Sequence, residues 1–165
     1  MKLLAQPKTV FNDYKKVGLY VPTSCCTFKC VTEAKEKGIE FIECQNHALL
    51  GCNKINMSAK DIYNMVQEDV FVEAVILSGL DPLDSFEETI EFIDEFRKLS
   101  DMEIVIFTGY KEEEISNKMS LLSKYNGITM KVGRYDPTIP PRYDPIGEVT
   151  LATGNQYFIN LTTLN

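Results

Sequence analysis

Five cysteines, Cys25, Cys26, Cys30, Cys44 and Cys52, crowd into one window near the start of the chain, and the last two thirds has none. Cysteines used only for packing would be spread more evenly. An odd number of thiols, in a reducing compartment, serves metal binding or catalysis before disulfides. Three soft thiolates on a flexible loop can hold a four-iron, four-sulfide cluster and leave the fourth iron open to a ligand. Cys26, Cys30 and Cys44 suit that task. The competing reading is a tetrahedral zinc set made by the same three with either His47 or Cys52. Cys25 reads as a buried neighbour or as a substitute for Cys26, which would make the spacing C-x4-C. Cys52 otherwise reads as a spare thiol, and His47, the only histidine, as a solvated or capping loop residue.

The elements that must position these thiols can be read from hydropathy. Val17 to Pro22 suits a buried strand that stops at proline and delivers the chain into Thr23-Ser24-Cys25-Cys26. A Lys- and Glu-rich stretch and the alternating Ile39 to Glu43, an edge strand or extended loop, belong to a cysteine-bearing insertion over about 31–57. Ser58 with Asp61 resembles a capping box, opening a helix with Ile62, Met65 and Val66 on its apolar face. Val72 to Leu77 reads as a strand buried on both faces. A helix from Asp84 or Ser85 follows, carrying Phe86, Ile90, Ile93 and Phe96 on one side.

Then come a strand at Glu103 to Phe107, a turn at Thr108-Gly109 and a helix from about Lys111, in which Glu112 to Glu114 suit the first turn. A strand at Ile128 to Val132, a proline-rich connection over 133–147 and a last strand at Gln156 to Asn160 complete the chain. Strands alternating with amphipathic helices predict an α/β fold: a small partial (β/α) barrel or open parallel sheet, one domain over 1–165. Its binding site is expected at the C-terminal ends of the strands.

Those strand ends carry further landmarks. Cys26-Thr27-Phe28-Lys29-Cys30 gives C-x3-C, and Cys44-Gln45-Asn46-His47 looks like a displaced continuation, making C-x3-C-x13-C. Ser78-Gly79-Leu80-Asp81-Pro82-Leu83 follows one strand and Thr108-Gly109-Tyr110 the next. Gly133-Arg134-Tyr135-Asp136 and Thr153-Gly154-Asn155-Gln156 complete the series. In this order the landmarks resemble the radical S-adenosylmethionine (SAM) proteins, specifically the activating proteins of anaerobic ribonucleotide reductase. In those proteins a third cysteine follows at the position of Glu33, and a G-G-E-P-L segment stands where Leu80 and Asp81 depart here. A loop can bridge the longer spacing, since each doubling of its length costs only about 0.6 kcal/mol of closure entropy.

The resemblance implies a [4Fe-4S] cluster on Cys26, Cys30 and Cys44. It also implies SAM contacts from Ser78, Gly79, Asp81, Pro82, Thr108, Gly109 and Asn46, with Gly79 offering an open strand edge to the ligand's ammonium. The activity it implies is reductive cleavage of SAM to a 5′-deoxyadenosyl radical. The partners would be a glycyl-radical enzyme, such as the large subunit of anaerobic ribonucleotide reductase, and a flavodoxin- or ferredoxin-like electron donor. A non-catalytic iron–sulfur or zinc module on the same fold is the rival reading. The formal charge of −7, with basic residues scattered among acids, speaks against nucleic acid as a partner. Short apolar runs and a start without a signal-like core give the expectation of a cytoplasmic protein outside the membrane.

Overall fold

The computed structural model describes residues 1–39, 44 and 46–161. In chain order the elements are β1 (Lys2–Leu3), β2 (Lys8–Val10), β3 (Gly18–Thr23), α1 (Lys29–Glu36), β4 (Ile55–Asn56), α2 (Ala59–Glu68) and β5 (Ala74–Gly79). They continue with α3 (Phe86–Arg97), β6 (Glu103–Phe107), α4 (Ser116–Leu122), β7 (Ile128–Val132), β8 (Arg142–Asp144), β9 (Val149–Leu151) and β10 (Tyr157–Asn160). The fold is α/β, with an open, mostly parallel sheet whose centre is β3, β5, β6 and β7 side by side in parallel. Antiparallel β10 extends it beyond β7, and β1, β2 and β4 extend the other end. Strands and helices are thus arranged as in a partial barrel.

Because side chains alternate across a strand, each central strand contributes to two different layers. Leu19, Val21, Val75, Leu77, Ile104, Ile106, Ile128, Met130 and Val132 turn to one side, where α2, α3 and α4 bring Ile62, Val66, Phe92, Ile93, Phe96, Met119 and Leu122 into one apolar cluster. Burial of such side chains stabilises by about 1.5–3 kcal/mol each, so this layer carries the fold. The opposite face has no helix of this cluster on it. Its lower part is filled by Tyr14, Ala74, Ile76, Val105, Leu151 and Phe158. Packing there is close, since a Cβ on Gly18 would run into the Ile76 side chain, which would have to shift. Toward the strand ends this face turns polar, with Pro22 beside Ser78 and Phe107 beside Lys131.

Several expected boundaries shift. The strand expected at Val72 to Leu77 runs from Ala74 to Gly79, and the helix expected from Lys111 begins at Ser116 after a separate 3-10 turn, Glu112–Glu114. Glu114 accounts for the break: it accepts the Lys111 N–H at 2.8 Å and the Arg134 Nη2 at 2.7 Å, closing the turn on itself. The expected insertion begins with α1, and Ile39 to Glu43 lies outside the described residues apart from Ile39. The proline-rich connection is only partly irregular, because β8 within it pairs with β9 as a hairpin. Asp144 fixes that hairpin, accepting from the N–H groups of Ile146 and Gly147 and, through its other oxygen, from Phe158. No described helix is long and apolar enough to cross a membrane.

Candidate functional site

A cavity of about 680 Å³ opens at the C-terminal ends of β3, β5, β6 and β7. The loop after β3 contributes Cys26 and Cys30, and Cys44 and Asn46 reach the same cavity from the segment beyond α1. Ser78, Gly79 and Asp81 line it from the end of β5, and Thr108 and Gly109 from the end of β6. Of the residues expected at the site, Pro82 alone does not line the cavity. It is buried, and its carbonyl accepts the Thr89 hydroxyl at 2.7 Å, which ties the turn to α3. Cys25, His47 and Cys52 also stand apart from the cavity, the last two exposed.

The thiols are half-buried and receive backbone donors. Phe28 N–H points at Cys26 Sγ, 3.2 Å away, and the Tyr135 N–H faces Cys30. Burial pushes the Cys26 thiol up to about 11, the Phe28 N–H opposing it and the carboxylates of Asp81 and Asp84 adding to it. Burial also raises Cys30, against the Tyr135 N–H and the Arg134 guanidinium. A soft metal centre here would therefore displace protons as it binds. Gly109 makes room for this arrangement. It is not in a left-handed conformation; a Cβ there would lie 2.9 Å from Cys30 Sγ. Among the described residues no three His, Cys, Asp or Glu side chains gather tightly enough to hold a single metal ion.

Asp81 is engaged by the protein itself. Its carboxylate accepts from Leu83 N–H at 3.0 Å, Gly109 N–H at 2.8 Å and the Thr108 hydroxyl at 2.9 Å, stitching the ends of β5 and β6 together. Burial nevertheless pushes it up to about 6, and the nearby Asp84 carboxylate adds to the rise. The strand edge expected to be open at Gly79 is partly closed: Gly79 pairs with Thr23, and its carbonyl accepts the Asn46 side-chain amide. Gly79 stands at φ +92, where a Cβ would lie 2.9 Å from Pro22 Cα, so glycine is required.

Sequence reasoning missed four residues. Asp84 and Tyr110 hold the cysteine loop from outside, by bonds described below. Arg134, buried, donates to Glu33 at 3.0 Å, to Glu114 at 2.7 Å and to the Gly109 carbonyl. Glu33, at the position of the expected third cysteine, is thereby committed to an ion pair. Lys131 is the fourth. It lines the cavity with its ammonium 4.8 Å from the Phe107 ring centroid, and no carboxylate among the described residues lies within ion-pair distance of it. Loss of hydration draws its pKa below the usual lysine range. Tyr110 and Arg134 lay within recognised landmarks, and Lys131 was legible only as the polar position of an alternating strand.

The family described as a 4Fe-4S single cluster domain matches residues 16–137, from just before β3 to just past β7. The chain belongs to this family. All five cysteines and four of the five strand-end landmarks fall within the matched span, and the last, Thr153 to Gln156, lies beyond it. No curated protein and no solved structure matches the chain. The residues fit the family's cofactor: three soft thiols face one cavity, two of them under backbone N–H groups of the kind that stabilise cluster sulfurs.

Proposed function

We propose that the chain binds a [4Fe-4S] cluster through Cys26, Cys30 and Cys44 and reductively cleaves SAM. The observation that carries this reading is the shared cavity, in which three thiols face the Ser78 to Asp81 and Thr108-Gly109 strand ends. When bound, the cluster supplies one low-potential electron. One electron added to the SAM sulfonium breaks its bond to C5′, giving methionine and a 5′-deoxyadenosyl radical, which takes a hydrogen atom from the partner. Lys131 offers the counter-charge for the methionyl carboxylate, because an unpaired cation in a half-buried site favours an anionic ligand. The Gly79 carbonyl, once Asn46 yields it, can accept from the methionyl ammonium, and Ser78, Thr108 and Gly109 bound the same space. In this proposal the partner is a glycyl-radical enzyme and the donor a flavodoxin- or ferredoxin-like protein.

A second reading, an iron–sulfur module without SAM chemistry, draws support from one observation: Asp81 and the Gly79 carbonyl already have partners within the protein. Anaerobic reconstitution with iron and sulfide separates the two. Under the SAM reading, the electron paramagnetic resonance spectrum of the dithionite-reduced protein shifts when SAM is added, and methionine and 5′-deoxyadenosine accumulate. Cys44→Ala is expected to lose or degrade the signal. A four-iron spectrum indifferent to SAM, with neither product formed, would sink the SAM reading and leave the module.

A further inference from the structure

The cysteine loop contains a costly backbone. Phe28, a bulky residue between Cys26 and Cys30, stands in the left-handed region at φ 56 and ψ 32. Such a conformation persists only where its surroundings over-determine it. Here it does two things at once. It turns the Phe28 N–H toward Cys26 Sγ at 3.2 Å, and it turns the Phe28 carbonyl to accept from Val31 and Thr32, which starts α1 with Cys30 in its first turn.

What holds the loop there is a carboxylate from a different element. Asp84, in the 3-10 turn Pro82–Ser85 after β5, accepts the Thr27 N–H at 2.6 Å through one oxygen and the Tyr110 hydroxyl at 2.5 Å through the other. The Thr27 hydroxyl lies 3.3 Å from the Tyr110 oxygen, closing the triangle. Tyr110 is itself gripped, with Lys29, Lys118 and the Arg134 guanidinium 4.7, 5.6 and 5.3 Å from its ring centroid. The bond to Thr27 adjoins the strained residue, so removing it releases the conformation that aims both thiols.

We infer that Asp84 and Tyr110 are positioning residues for the Cys26 to Cys30 loop, and that the Asp84 carboxylate also biases an attached cluster toward its oxidised form. The electrostatic part follows from charge: a carboxylate bonded to the residue next to Cys26 disfavours adding an electron nearby. The inference rests on the reading that Cys26 and Cys30 are cluster ligands, and its test keeps the two separate.

In the metal-free, reduced protein, the alkylation rates of Cys26 and Cys30 by iodoacetamide are followed by mass spectrometry, with exposed Cys52 as the internal reference. In Asp84→Ala both rates relative to Cys52 rise roughly tenfold, as expected for loss of hydrogen bonds to a charged group. Tyr110→Phe gives a smaller rise, because the Thr27 bond remains. If Asp84→Ala unfolds, all five thiols react alike, and Tyr110→Phe with Asp84→Asn then decides. In the reconstituted protein, Asp84→Asn retains its iron but shows a midpoint potential above that of the wild type. Unchanged ratios in these variants overturn the positioning role, and an unchanged potential in Asp84→Asn overturns the electrostatic one. Should the ratios change while the wild type takes up no iron, the loop anchor stands and the cluster assignment fails.

Discussion

Two carboxylates at opposite ends of the same strands receive similar sets of donors and are treated in opposite ways. Glu103, at the start of β6, accepts from the Tyr14 hydroxyl at 2.8 Å, the Thr129 hydroxyl at 2.7 Å and the Lys16 ammonium at 2.7 Å. Asp81, at the end of β5, accepts from two N–H groups and a hydroxyl and has no ion-pair partner among the described residues. Burial raises Glu103, yet its bonds to Lys16, Thr129 and Tyr14 outweigh that and hold it below the usual carboxylate range. Burial wins at Asp81 and pushes it up to about 6. The base of the sheet is therefore a neutralised clasp. The cavity end keeps an acid that no cation among the described residues pairs with, at the cost of stability, which is how a functional end differs from a structural one.

Acid and base titration sharpen that contrast most. Between 3.8 and about 6, folded Asp81 binds a proton that the unfolded chain has released. Its contribution to stability is therefore fully present below the lower value and lost as pH rises through the upper one, about 3 kcal/mol in all. Asp81→Asn removes this dependence. In urea unfolding of the metal-free protein, the stability of the variant relative to wild type should improve by most of that amount from pH 4 to pH 7, and a constant difference would erase the contrast. Glu103 has the opposite sign. Its contribution is present above 4.5 and lost as pH falls through its lowered folded value. Glu103→Gln should cost about 2 kcal/mol at pH 7, a deficit that shrinks in acid, measured in the same titration.

The clasp was invisible in the sequence although the strand that carries Glu103 was not. Ile104 to Phe107 shows itself by a β-branched run, whereas Tyr14, Lys16 and Thr129 meet Glu103 only because β6 and β7 pair and the segment before β3 crosses beneath them. The capping box at Ser58 and Asp61 was legible because all its partners lie within four residues, and both of its bonds are present. At the cavity end, the landmarks located Cys26, Cys30, Gly79 and Gly109, since unusual residue types mark close approaches. They did not disclose Asp84, or the role of Arg134 inside the Gly133 to Asp136 landmark, because these ordinary charged residues act through contacts 57 and 101 positions away. Strands β1, β2 and β4 escaped notice because two or three residues carry no period.

The two faces of the sheet offer a subtler test than its two ends. On the helix-bearing face a lost methyl leaves a cavity; on the other, an added methyl at Gly18 must push the Ile76 side chain aside. Gly18→Ala forces Ile76 to move, and overpacking of this kind costs about 1–2 kcal/mol. Because Ile76 lies in the row just below Ser78, the SAM reading expects the same variant to weaken ligand binding in the cavity as well, read by titration of the reconstituted protein with SAM. Ser58→Ala, which removes a cap on α2 far from the cavity, should cost about 1 kcal/mol. It should leave iron content and SAM titration at wild-type values. If both variants lower stability and neither touches the titration, the lower layer of the bare face is scaffold alone. If Gly18→Ala alone disturbs ligand binding, packing under the strand ends is part of what shapes the site.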